Sequence, residues 1–194
     1  MRCLVVYAHP VEDSYCAALR DRAMRSLAEA GHEVRLIDLY AEGFDPVLSR
    51  AERLAYHTPG DNERTVRRHI ERIKWAEALV FVYPTWWYGL PAMLKGWFDR
   101  VWVPYVTFTL PPQGPIRGLM DNIVRLVVVT TAGSPRLWLT LMGNPGRDTI
   151  MRGVRALCHR RCRRIWLAHY RIDHSTPESR KAFLDRVDAR LRRL

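Results

Sequence analysis

The 194 residues predict an α/β chain: one doubly wound domain, residues 1–194, with a five-stranded parallel sheet and helices on both faces. Three observations carry that prediction. Short continuous apolar runs recur, as for strands buried on both faces. Segments with helical spacing alternate with them, and right-handed crossovers between parallel strands then place helices on both sides of the sheet. The length suits one well-buried domain, and 48% hydrophobic with 26% charged residues is a globular composition.

The elements follow in order. Leu4 to Tyr7 is a short apolar strand. Ser14 to Ala30 carries helical spacing through Ala18, Leu19, Met24 and Leu27, and Gly31 stops it. Glu33 to Leu39 is the second strand. Residues 41–61 are polar and broken by proline and glycine, so a long loop is expected, with a short helix around Arg50 to Tyr56. Glu63 to Trp75 is a basic amphipathic helix with Val66, Ile70 and Ile73 on one side. Ala78 to Tyr83 is the third strand and Ala92 to Val101 the next helix. Residues 102–121 form an excursion with four prolines, and Trp102, Tyr105 and Phe108 give it an exposed aromatic character. Ile123 to Thr130 is the fourth strand, Thr131 to Pro145 a loop, Arg147 to Cys158 a helix and Arg164 to Tyr170 the fifth strand. The last helix opens with Thr176 as N-cap, Pro177 at its first position and Glu178 in its first turn.

Charge and cysteine usage bound the function. The net charge is +11 and the pI about 10.1, and lysine occurs only at Lys74, Lys95 and Lys181, so arginine dominates. The basic residues are spread along the chain and read as solvated helix faces. No basic stripe interleaved with aromatic residues and no DNA-binding motif accompanies them, so no nucleic-acid partner is expected. No apolar run approaches the roughly 20 residues of a membrane span, and Met1 leads straight into a strand without a signal-peptide pattern. Cys3, Cys16, Cys158 and Cys162 show no CxxC spacing, suit a reducing cytoplasm and suggest no metal site. Cys158 and Cys162, four apart, read as buried thiols able to face one another.

Ligands of doubly wound sheets sit beyond the carboxyl ends of the strands, which singles out three loops. The first, AHPVEDSYCAA at 8–18, lacks GxGxxG and the P-loop pattern. It leads into a helix N-terminus, where free N–H groups and the helix dipole favour a phosphate, with His9 and Ser14 as added donors. The second carries Trp86, Trp87 and Tyr88 followed by Gly89-Leu90-Pro91, a stiff surface of flat rings suited to a planar heteroaromatic ligand. The third, TTAGSPRLW, offers small residues and free amides for the polar edge of a ring. A phosphate at one end and a flat polar ring at the other describe a flavin nucleotide.

YAHP at 7–10, DLY at 38–40, FDPVLS at 44–49, YPTWWYGLPAMLKGWFDRV at 83–101 and TTAGS at 130–134 resemble the NAD(P)H quinone oxidoreductases of flavodoxin-like fold, the DT-diaphorase family with its bacterial relatives. The resemblance runs over nearly the whole chain, and the 83–101 stretch is its most specific part. It implies a flavin, FMN or FAD, whose phosphate end is held by His9, Ser14, Tyr15 and Cys16. It implies that Pro84, Thr85, Trp86, Trp87 and Tyr88 wrap the ring, partly through backbone amides, with Thr130, Thr131, Ala132 and Gly133 along its other edge. It further implies NAD(P)H as cosubstrate, a quinone-like acceptor taking its turn in the same pocket, and a homodimer. Departures fall at Ala132, where the family has a glycine, and at Trp138 and Asn144, which align with a tyrosine and a histidine that assist proton transfer in the animal members. Phe108 and Leu110 likewise fall near positions where those members have aromatic hydroxyls. No catalytic side chain is singled out. The other expectations on this scaffold are a nitro-, azo- or flavin reductase, a flavodoxin-type electron carrier, and a flavin-binding regulatory subunit of a potassium efflux system.

Overall fold

The computed structural model describes residues 1–194. Five parallel strands stand in the order β2-β1-β3-β4-β5: β1 Arg2–Tyr7, β2 Glu33–Asp38, β3 Ala78–Thr85, β4 Arg125–Ala132 and β5 Arg163–Tyr170. The chain reverses direction across the sheet between β1 and β3, which creates the crevice where such folds take ligands.

Side chains of the three inner strands alternate between two cores, as the period of two dictates. Leu4, Val6, Leu79, Phe81, Leu126 and Val128 face one layer, with α3 Arg67–Trp75, α4 Ala92–Val101 and the helical stretch after Pro145. Cys3, Val5, Val80, Val82, Val127 and Val129 face the other, formed by α1 Tyr15–Glu29 and α8 Pro177–Leu191. There Leu19, Leu27, Phe183, Val187 and Leu191 are buried, and the Ser26 hydroxyl donates to the Asp188 carboxylate at 2.6 Å across the helix pair. The expectation of helices on both faces of a parallel sheet holds.

The boundaries differ in instructive ways. β3 runs through Pro84 to Thr85, three residues past its last pairing with β1 at Tyr7–Val82. Beyond that point β3 has a neighbour only in β4, so the N–H that proline lacks removes no bond to β1. β4 extends to Ala132, which makes Thr131 and Ala132 strand residues rather than loop. The expected loop 131–145 contains a helix, α5 Arg136–Leu141, that buries only Leu139 and therefore has no amphipathic signature. The next helix begins earlier than expected, at Pro145, as α6 Pro145–Asp148. It passes through a π-helical stretch, Thr149–Val154, and ends as α7 Arg155–Leu157.

In the 102–121 excursion only Tyr105 of the three aromatic residues is exposed, at 44%. Trp102 packs at 4.9 Å on Phe98 and 5.1 Å on Trp97, ring centre to ring centre, and lies half-buried against the core. Phe108 is half-buried. The short helix expected around 50–56 is present as α2 Arg50–Ala55, with a capping box between Ser49 and Glu52. Cys158 and Cys162 are buried and free, as are Cys3 and Cys16.

Candidate functional site

At the carboxyl ends of β3 and β4 lies a cleft of about 680 Å³, within the size range of small-molecule sites. Pro84, Thr85, Trp86, Trp87 and Tyr88 form one wall. Thr131, Ala132, Gly133 and Ser134 form the other, with Leu139 from α5 and Ile172 and Asp173 from the loop after β5. Two of the three predicted loops therefore meet in one cavity. Thr130 lies beneath them, fully buried, with its hydroxyl 3.0 Å from that of Thr85, and this contact ties the two walls together at the base.

The aromatic loop is held in an unusual shape. Trp87 and Tyr88 both adopt left-handed backbone, φ 49° and 62°, a conformation that costs an L-residue roughly 1–2 kcal/mol. The loop is clasped from outside. Trp138 donates its indole N–H to the Tyr88 hydroxyl at 3.2 Å, and the Gly146 N–H donates to the Tyr88 carbonyl at 3.2 Å. Gly146 permits this approach, because a Cβ there would stand 3.0 Å from the backbone of Gly89. Trp86 and Gly89 pair across the turn as an antiparallel bridge, while the N–H groups of Trp87 and Tyr88 have no partner within the chain, and neither do those of Gly133 and Ser134. Trp87 is 94% exposed. Its indole face is open to solvent at the mouth of the cleft.

The first predicted loop adjoins this cleft without lining it. His9 makes the join: its ring centre is 6.0 Å from that of Trp86, and its Nδ1 accepts the Val11 N–H at 3.0 Å. Ser14 caps α1, its hydroxyl accepting the Ala17 N–H at 3.1 Å. The N–H groups of Tyr15 and Cys16 are left open at the start of a 15-residue helix. Their side chains are committed elsewhere. The Tyr15 hydroxyl donates to the Arg180 carbonyl at 2.8 Å, and the Cys16 thiol is buried in the core and pushed up to about 12 by that burial, so it stays protonated. Tyr15 and Cys16 can serve an anion through their amides alone.

Three cleft residues were not foreseen from the sequence, Leu139, Ile172 and Asp173. The strand-end rule that selected three loops applies equally to the loop after β5, and would have found Ile172 and Asp173. Asp173 makes no hydrogen bond or ion pair, and its Oδ2 lies 2.5 Å from where a Gly133 Cβ would sit. Gly133 is thus the residue that leaves the carboxylate room. Trp138, in place of a proton-transferring tyrosine, has only a donor N–H and here clasps the loop.

The arrangement fits a flavin nucleotide on the structure's own terms. Open amides at a long helix N-terminus suit a phosphate. Four further unpartnered amides and a flat indole surround a cavity of the right size, and no lysine or arginine stands in it.

The comparisons agree with this geometry. The whole chain, residues 1–194, matches the family described as having a flavodoxin-like fold. It is 29% identical to the rat protein named NAD(P)H dehydrogenase (quinone) 1, over 98% of this chain and 76% of that one. It is 30% identical to the guinea-pig protein of the same name over 71% of this chain, an alignment that spans about half, 55%, of the relative's length. Among solved structures, Smu.1420 from Streptococcus mutans superposes with a TM-score of 0.86 at 26% identity, covering both chains fully. The NAD(P)H:quinone oxidoreductase from Methanothermobacter marburgensis gives 0.82 at 28%, over 99% of this chain and 98% of that one. Matched from end to end, with the strand order and crevice described above, the chain belongs to the flavodoxin-like fold family.

Proposed function

We propose that the chain is a flavin-dependent NAD(P)H oxidoreductase whose reducing equivalents pass to a quinone or a similar acceptor. The observation that carries this reading is the meeting, in one cleft beside the β1/β3 crevice, of a strained flat-ring loop and an amide-bearing strand end. The rat and methanogen relatives, named for NAD(P)H and quinone, support it. A bound flavin supplies hydride chemistry that no side chain provides. The chain's own residues bind and orient. The Tyr15 and Cys16 amides with His9 hold the phosphate end, and Trp86 and Trp87 shield the ring from water. The Trp87, Tyr88, Gly133 and Ser134 amides supply donors to its polar atoms. With one ring-binding cleft to serve both, donor and acceptor take turns, so initial-rate plots at varied acceptor should be parallel.

The test is anaerobic mixing of the flavin-loaded protein with NADPH and then NADH while the flavin absorbance is followed. Bleaching by either, before any acceptor is added, is expected. A protein that binds flavin but is bleached by neither would overturn the reading. Mass analysis of the released cofactor distinguishes FMN from FAD.

The chain is proposed to work as one domain and as a homodimer. Support for the dimer comes from the exposed apolar residues Leu137, Trp138, Leu141 and Met142 on and after α5, beside the cleft. A reducing cytoplasm is the proposed location, supported by four free cysteines. No helix is long and apolar enough to cross a membrane.

A further inference from the structure

A cavity of about 1300 Å³, larger than the cofactor cleft, neighbours that cleft along the open edge of β5. Four arginines line it, Arg136, Arg147, Arg171 and Arg186, with Asp148 as the single acidic residue. His169, in its wall, is buried and its pKa lowered by that burial, so the charge of the cavity comes from the arginines.

Two of the four are already engaged. Arg186 donates to the Ala168 carbonyl at 3.1 Å and lies 4.7 Å over the Phe183 ring, and Arg147 pairs with Asp148 at 3.5 Å. Arg136 and Arg171 have no acidic partner and no side-chain hydrogen bond within the chain. Arg171 is also held in left-handed backbone, φ 56° and ψ 42°, where glycine would sit without strain.

Both free arginines lie on segments shared with the cofactor cleft. On the loop after β5, Arg171 and His174 face the edge cavity, while Ile172 and Asp173 between them face the cofactor cleft. On α5, Arg136 and Thr140 face the edge cavity and Leu139 the cofactor cleft. Arg171 and Asp173 are two residues apart, at most about 7 Å along the chain. A ligand with its reactive ring in one cavity and its anionic part in the other has only to cross this single loop.

From this adjacency we infer that the arginine-lined cavity along β5 receives the phosphate-bearing half of the reduced dinucleotide, held by Arg136 and Arg171. This rests on the oxidoreductase reading above and adds where the cosubstrate lies. Guanidinium groups suit the task, since their paired N–H groups match phosphate oxygens and keep their charge at any working pH.

The test uses Arg171→Gly, which removes the charge while relieving the backbone, Arg136→Gln, and the double variant, all compared at equal flavin content. Stopped-flow flavin reduction is measured with NADPH, NADH and reduced nicotinamide mononucleotide, which lacks the adenylate half. Inorganic pyrophosphate binding is followed by calorimetry at low salt. The preference for dinucleotide over mononucleotide should fall about tenfold for each arginine removed, and pyrophosphate binding should weaken in parallel. A double variant that keeps the full preference, or binds pyrophosphate as well as the parent, overturns the inference. Failure of every reduced nicotinamide to bleach the flavin overturns the oxidoreductase reading instead, and pyrophosphate binding then decides on its own whether the cavity is an anion site.

Discussion

Trp87 spends backbone strain on a side chain that touches almost nothing in its own chain, and that combination separates its folding role from its binding role. Trp87→Ala should leave folding stability within about 0.5 kcal/mol, as for a surface site, which urea denaturation of the flavin-free protein will measure. Flavin affinity should fall by about one to two powers of ten, because an indole face covering the ring is worth roughly 1–3 kcal/mol of burial. A variant that unfolds more readily would mean that the loop is structural. Gly133 makes a different case. A methyl group there meets only the tip of the exposed Asp173 side chain, which can swing away into the cleft. Gly133→Ala should therefore fold normally yet lower flavin affinity, and adding Asp173→Ala should restore much of it. If the double variant binds no better than Gly133→Ala, the carboxylate is not what the glycine accommodates.

At the scale of elements, α4 shows how context reverses a propensity. An interior helical glycine usually gains about 1 kcal/mol when changed to alanine. Gly96 sits where a Cβ would lie 2.1 Å from the Pro46 carbonyl oxygen and 2.5 Å from its Cβ, so the 44–49 segment rests directly on the helix. Gly96→Ala should instead destabilise by about 1–3 kcal/mol or more, as overpacking does, seen as a lower urea midpoint. Glu52 locks the same region. It completes the cap of α2, accepts the Thr65 hydroxyl at 2.7 Å, and pairs with Arg100 of α4 at 2.6 Å. Burial alone would raise its pKa, but the hydrogen bonds from Thr65, Ser49 and Arg100 outweigh it and hold the carboxyl at about 2. A depressed pKa stabilises the fold above the ordinary carboxylate value, and that contribution is lost as pH falls from about 4.5 to about 2. Allowing for screening at a partly exposed site, the loss is on the order of 1–2 kcal/mol. The fall in urea midpoint over this range should be shallower in Glu52→Gln, and an identical fall would remove Glu52 from the account.

For the whole molecule, what could be read from the sequence tracks how locally each feature is encoded. The three inner strands were legible because a strand buried on both faces leaves an unbroken apolar run, and α8 because Thr176, Pro177 and Glu178 mark its start. The cleft walls at 84–88 and 131–133 followed from the strand-end rule, but α5 did not, since a helix that buries only Leu139 leaves no period to detect. Trp102 looked like a surface residue because an aromatic in a proline-rich segment carries no sign of its partners, Trp97 and Phe98. The second cavity was hidden for a similar reason: Arg136 and Arg171 are ordinary arginines until the fold sets them around one cavity. The homodimer should be evident as a doubled mass in sedimentation at tens of micromolar, and replacing Leu137 and Leu141 by glutamate should halve it; an unchanged mass would move the interface away from α5. The tryptophans have a practical consequence of their own. Of seven indoles, the exposed ones, Trp86, Trp87 and Trp138, all border the cofactor cleft, while Trp97 is sealed in the core and Trp75, Trp102 and Trp166 are partly covered. Iodide should therefore quench a red-shifted component of the emission that comes from the cleft rim, and a ligand entering the cleft should protect that component first, so the protein carries an optical gauge of its own occupancy.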